Sequence, residues 1–234
     1  MSSTYSTVIS NGATTGKATP NATDVANCFL AGTQIRTPHG EVAIETLSIG
    51  DLILTTAGEA VPIRWIGRQT VNNAIVNHPL PEGREPVLIE AGTLGDNLPH
   101  SDLYRSADHG LIWEGLVVNA GAMVNGASIR YVPRDELPKE FTYYHVETER
   151  HDELYANGAP AETFIDYIGR KAFDNYQEYL DRYGCDRLIP EMKRPRISAQ
   201  RLLPQSLRAK LGIPAYGEGF EEEYQSLLER FRAA

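Results

Sequence analysis

Cysteine is scarce in this chain: 234 residues contain two, Cys28 and Cys185. A disulfide framework is therefore not expected, and a thiol left unpaired stays available for chemistry. Positive charge is also in short supply. There are 22 Lys and Arg against 31 Asp and Glu, a net charge of −9. Nucleic acids and anionic membranes both call for a cationic face, so neither is an expected partner. No apolar run approaches the roughly 18 residues of a membrane span. The first residues have neither a basic start nor an apolar stretch, so no secretory signal is read there. The expected location is the cytoplasm, or outside the cell by a non-classical route. What the chain does have is 41% hydrophobic content, enough for a buried core.

Three regions differ in character. Residues 1–27 are rich in Ser, Thr, Ala, Asn and Gly and poor in large apolar groups. Such a stretch cannot bury enough surface to offset chain entropy, so it reads as a flexible leader, with one short strand at Thr7-Val8-Ile9. Residues 28–168 read as a mostly β domain, with short branched runs between turn residues. Val42-Ala43-Ile44 follows Pro38-His39-Gly40, and Leu52-Ile53-Leu54-Thr55 precedes Ala57-Gly58. Val61, Ile63 and Trp65 alternate with polar or turn residues, which predicts one half-buried strand. Val87-Ile89 predicts another. Leu111-Ile112-Trp113 and Leu116-Val117-Val118 flank Glu114-Gly115, which predicts a tight hairpin.

Residues 169–234 read as a helical tail. Phe173, Tyr176, Tyr179, Leu180 and Tyr183 fall at helical spacing within 172–183, and the tyrosine stripe is expected to pack on the β domain. The stretch 187–214 is basic and broken by prolines, with Lys193-Arg194-Pro195-Arg196 read as a solvated loop. A last helix is predicted over 218–234, with acids in its first turn and Arg230 and Arg232 near its end. Cys185 reads as a structural thiol.

The chemistry concentrates around Cys28, at the junction of the leader and the β region. A thiol placed there can attack the carbonyl of the residue before it, so Asn27–Cys28 is the candidate scissile bond. Ser106-Ala107-Asp108-His109 sets a hydroxyl three residues before an imidazole. If the segment turns, both groups can serve one peptide bond: His109 protonates the departing nitrogen, and Ser106 with backbone N–H groups holds the carbonyl. A third cluster, His145 with His151 and Asp152, supplies further acid–base groups, and either His145 or His151 can help deprotonate the thiol. A metal site from His145, His151, Asp152 and Glu153 matches no standard zinc spacing, so no metal and no cofactor are expected.

Cys28 to about Arg170 resembles the Hint (Hedgehog/intein) domain, closest to bacterial Hint proteins whose opening reads C-F-L-A-G-T. The residues that carry the resemblance are Cys28-Phe29-Leu30-Ala31-Gly32-Thr33, the strand Gly50-Asp51-Leu52-Ile53-Leu54, and Ser106-Ala107-Asp108-His109. Tyr144-His145-Val146-Glu147 and the stretch from His151 to Asn157-Gly158 complete it. The resemblance implies a pseudo-symmetric, mostly β fold with a C-terminal helical extension. It also implies self-processing, with the chain's own N-terminal segment as substrate and water or a small nucleophile as acceptor. Ser106 stands where the family usually has Thr, and His145 where it often has Asp. No His-Asn pair follows Asn157-Gly158, so cleavage at Cys28 is expected rather than full splicing. A processing-inactive Hint-fold binding module is the alternative.

Overall fold

The computed structural model describes residues 27–73, 85–167 and 169–215, together with Glu229. The leader before Asn27, the strand expected at 7–9 and the last helix, Glu229 apart, lie outside the described residues.

The branched runs assemble into two large sheets. The first runs β11 (Ile129–Tyr131), β7 (Val87–Ile89), β8 (Leu103–Arg105), β1 (Phe29–Leu30), β12 (Glu140–Glu147) and β6 (Trp65–Asn72). The second runs β15 (Arg196–Ile197), β10 (Leu116–Asn119), β9 (Gly110–Trp113), β14 (Ala159–Glu162), β13 (Glu153–Ala156), β2 (Gln34–Thr37) and β3 (Gly40–Ala43). A separate hairpin joins β4 (Leu52–Leu54) to β5 (Ala60–Pro62). All pairings are antiparallel except that of β10 with β15. Helices α1 (Tyr176–Tyr183) and α2 (Gln205–Lys210) lie in the tail. The fold is thus mostly β, with helices towards the C-terminus. Among the described residues, no helix is long and apolar enough to cross a membrane.

Local chemistry explains where expectation and structure agree. Glu114 and Gly115 both take positive φ, 50° and 79°, so the two-residue turn twists with its strands and sets Trp113 opposite Leu116. It also explains where they part. The strand expected across Val61–Trp65 is broken in two. The Ile63 N–H turns to the Asp51 carbonyl and the Arg64 N–H to the Glu147 carbonyl, so the chain changes sheets there. Ile44 leaves β3 and opens a short 3-10 turn.

The helix expected from 172 begins only at Tyr176, because the residues before it serve the edge of the first sheet. The Asp174 carboxylate accepts the Thr70 N–H, and its own N–H reaches the Arg68 carbonyl. The Asn175 carboxamide accepts the Arg68 N–H and donates to the Ile66 carbonyl. These side chains satisfy the open edge of β6 as another strand would. Phe173 lies directly on Gly67; a Cβ there would sit 2.5 Å from its ring. That ring is fully enclosed, packed edge-on against Trp65 with centroids 5.1 Å apart. Gly67→Ala is therefore expected to destabilise the fold by about 1–3 kcal/mol through overpacking. Urea unfolding would read this as a lower midpoint at unchanged slope; a midpoint equal to wild type would show that the ring yields freely.

The tail adds more than helices. Tyr179 is fully buried against Trp65, as expected of the tyrosine stripe. Arg170 is buried, bonded to Glu147 at 2.7 Å and stacked on the Phe164 and Tyr179 rings. β15 extends the second sheet. Arg196 is not the solvated residue its neighbourhood suggested: its guanidinium reaches the wholly buried Glu162, which needs a cation. Cys185 is exposed, so it is not a buried structural thiol.

Candidate functional site

β1 is only two residues long, yet it lies between β8 and β12 in the middle of the first sheet. Cys28 immediately precedes it and is completely buried. Its backbone is held from both sides by Ser106: the Cys28 N–H donates to the Ser106 hydroxyl at 2.8 Å, and the Ser106 N–H donates to the Cys28 carbonyl at 2.9 Å. The nitrogen of the Asn27–Cys28 bond is thus fixed against a hydroxyl that still has its own proton to give. The Cys28 thiol shares an apolar cluster with Trp65, Tyr143 and Phe164, and burial pushes its pKa well above the ordinary thiol range. Asn27 is also buried, and its carboxamide oxygen has no hydrogen-bond partner among the described residues.

The turn after Ser106 brings His109 back over the same strand. Its ring packs on Phe29, centroids 4.2 Å apart. Nε2 lies 3.0 Å from the Glu162 main-chain carbonyl. A carbonyl only accepts, so Nε2 carries the proton and Nδ1 bears the lone pair. Nδ1 is buried without a partner among the described residues. Burial, with Arg105 and His145 adding to it, holds the imidazole pKa well below its usual value; Glu162 only partly opposes them. His109 is therefore neutral and basic at Nδ1.

His145 lies on β12 opposite Gly67, its ring 4.7 Å from that of His109 and 5.3 Å from Phe164. Among the described residues neither of its nitrogens makes a hydrogen bond of ordinary geometry, although the Thr163 main chain is near enough to act weakly on the ring. Burial lowers its pKa to about 3, against a partial counter-pull from Glu162. His151 is differently engaged. Its Nδ1 accepts the Met192 N–H at 3.0 Å, so its Nε2 donates, to Glu162 Oε2 at 3.0 Å. With both nitrogens committed, His151 has no lone pair to offer Cys28. Asp152 is half-exposed, and its N–H binds the Thr163 hydroxyl; the bonds that join the histidines to Glu162 do not involve its carboxylate. Backbone bonds thus join Cys28 to Ser106, ring contacts join Phe29, His109 and His145, and His151 is tied instead to Glu162 and Met192. No group of three or more His, Cys, Asp or Glu among the described residues is arranged to hold a metal ion.

The sequence pattern of the Hint domain matches residues 27–167. The chain belongs to the Hint-domain family. Membership carries the family's capability for autoprocessing or splicing. No curated protein matches the chain. Among solved structures, the bacterial intein-like domain from Clostridium thermocellum is 16% identical, with a TM-score of 0.44, over 60% of this chain and all 100% of that one. The MchDnaB-1 intein is 16% identical, with a TM-score of 0.40, over 57% of this chain and 98% of that one. The gp41-1 intein is 16% identical, with a TM-score of 0.41, over 58% and 98%.

Two residues of this Hint domain escaped the sequence reading. Glu162 is entirely buried and accepts from the Gly110 N–H, from His151 and from Arg196. Burial alone would raise its pKa, but the His151 and Arg196 bonds hold it well below the carboxylate range. The one available signal was an acid ending a strand of small apolar residues, Ala159-Pro160-Ala161. Arg105 is the other: fully buried, stacked 5.2 Å over Phe29, and bonded to the Gly110 carbonyl. Burial lowers its pKa to about 9.

Proposed function

We propose that this Hint domain cuts its own chain at Asn27–Cys28 through a thioester. The Cys28 sulfur attacks the Asn27 carbonyl carbon while the thiol proton passes to Nδ1 of His109. The carbon–nitrogen bond then breaks, and the same proton goes to the leaving Cys28 nitrogen. The product is a thioester on Sγ and a free α-amine. Water, or a small nucleophile, attacks the thioester carbon; the carbon–sulfur bond breaks, the thiol regains a proton, and residues 1–27 leave with a new carboxylate. The chain's own N-terminal segment is the substrate, and no cofactor takes part.

The observation that carries this reading is the pairing of Cys28 with Ser106 beside an imidazole whose free nitrogen is buried. Thiol and imidazole are both neutral, because burial disfavours charge on either. The proton transfer must then accompany attack rather than precede it. Ser106 sits on the nitrogen side of the bond, so its hydroxyl guides the departing amine more directly than the carbonyl oxygen. His145 supports the His109 ring and offers a second neutral acceptor for the thiol proton. The lack of a His-Asn pair beyond Gly158 supports cleavage over splicing.

A second reading, a processing-inactive module of the same fold, is favoured by the complete burial of the thiol. An intact-mass time course separates the two, run with and without hydroxylamine beside Cys28→Ala and His109→Ala. Wild type is expected to lose the mass of residues 1–27, faster with hydroxylamine, and Cys28→Ala to stay whole. His109→Ala is expected to slow by roughly 100- to 10,000-fold, the usual share of a positioned acid–base group. A wild-type chain that stays full-length under every condition would make the inactive module the correct reading.

A further inference from the structure

The family match ends at residue 167, yet groups from beyond it reach the centre of the site. Glu162 ties the two regions together. Its main-chain carbonyl takes the proton of His109 Nε2, and its Oε1 takes the N–H of the next residue, Gly110, at 2.6 Å. One residue thus holds both the ring and the backbone of the His109–Gly110 step. The Glu162 carboxylate is in turn held by four donors: the Gly110 N–H, His151 Nε2–H and both terminal nitrogens of Arg196. Half of that grip comes from a single tail residue.

Arg196 is itself well fixed. It stands on β15, paired in parallel with β10. The same Nη1 that reaches Glu162 also donates to the Asn119 carboxamide at 3.0 Å, and Nε binds Glu191 at 3.1 Å. The guanidinium plane lies 4.9 Å over the Tyr167 ring. A planar fork meeting both carboxylate oxygens fixes direction as well as charge, which a lysine cannot do. Imidazole has two neutral tautomers, and the partner of one nitrogen selects between them. The tail therefore bears on which nitrogen of His109 is basic.

From this we infer that Arg196 is a positioning residue: by clamping Glu162 it holds His109 as the Nε2–H tautomer and keeps Nδ1 free for proton transfer at Cys28. The inference rests on the cleavage reading for its consequence, but the tautomer can be measured without cleavage. On this view the tail completes the site, and a chain ending near residue 167 carries Cys28, Ser106 and His109 without a fixed acid–base group.

The test uses the full chain with Cys28→Ala, which stays uncut, and reads the His109 ring nitrogens by long-range proton–nitrogen NMR. With Arg196 present, a single Nε2–H pattern is expected. Arg196→Gln is expected to give a tautomer mixture, and Arg196→Lys a smaller second population. Leu203→Ala is the control, since Leu203 is a buried tail residue among the apolar core side chains. It is expected to weaken the tail and leave the His109 pattern unchanged. In chains that retain Cys28, Arg196→Gln is expected to slow cleavage by roughly 10- to 100-fold, the scale of a misplaced reacting group. A His109 pattern identical to wild type in both Arg196 variants overturns the inference. If Arg196→Gln does not fold, the lysine variant decides in the same way. If wild type does not cleave at all, the cleavage reading fails, and the tautomer comparison still decides the role of Arg196.

Discussion

Glu162→Ala is expected to cost the fold about 3–5 kcal/mol, the range for breaking a buried ion pair from one side. The substitution takes from the Arg196 guanidinium, whose side chain is only 15% exposed, its buried carboxylate and leaves it Glu191 and Asn119; the Gly110 N–H and the His151 Nε2–H lose the acceptor they have here. Each orphaned donor adds a desolvation penalty. Domains of this kind have only about 5–15 kcal/mol to lose, so the variant should sit near the edge of folding. Glu162→Gln keeps an acceptor oxygen and the side-chain shape, and should lose less. Guanidinium melts of the three proteins measure both effects. A loss below about 1 kcal/mol for the alanine variant would mean that the cluster relaxes around the gap, and that Glu162 is not the centre of the interior.

Mild acid is expected to destabilise this protein through its buried histidines. His109 and His145 are neutral in the fold, with pKa values below the ordinary imidazole value, about 3 for His145. The unfolded chain binds protons at these positions below about pH 6.5, and the folded one does not. Stability is then fully present above that pH and falls as pH drops, by about 1.4 kcal/mol per pH unit for each histidine. His145 alone should remove about 2 kcal/mol between pH 6.5 and 5, and His109 acts in the same direction. The depressed Glu162 acts in the same direction at lower pH, since its contribution is present above the unfolded carboxylate pKa and lost below it. Arg105, which faces both rings, steepens the penalty for charging them.

His145→Phe tests this directly. The ring sits among Phe164, Phe173 and His109, and its nitrogens make no ordinary hydrogen bonds, so phenylalanine should cost little at neutral pH. It should also lower the slope of stability against pH by about 1.4 kcal/mol per pH unit. Urea unfolding across that range reads both; equal slopes for the two proteins would place the acid sensitivity elsewhere.

Much of this was legible locally. Cys28 announced itself by its place at a change of composition, and Ser106 and His109 by a spacing a single turn can close. The Glu114-Gly115 turn was legible because its two left-handed residues act without distant help. The hidden features are those that distant chain decides. Arg196 and Glu162 are 34 residues apart, and nothing near either one tells that the parallel pairing of β15 with β10 carries the guanidinium to Glu162 on β14. His145 and His151 looked equivalent as bases; a Met192 N–H, 41 residues beyond His151, tells them apart. Phe173 continued a helical stripe, yet the edge of β6 drew it and the next two residues out of the helix.

The short β1 strand has one further consequence. Every strand of the described residues lies after Cys28, so among them no sheet pairing reaches across the Asn27–Cys28 peptide. For the described strands, severing that bond is topologically silent. The new chain start would be born inside a finished sheet, with its amine already beside the Ser106 hydroxyl, and the remaining domain would have no registers to rebuild.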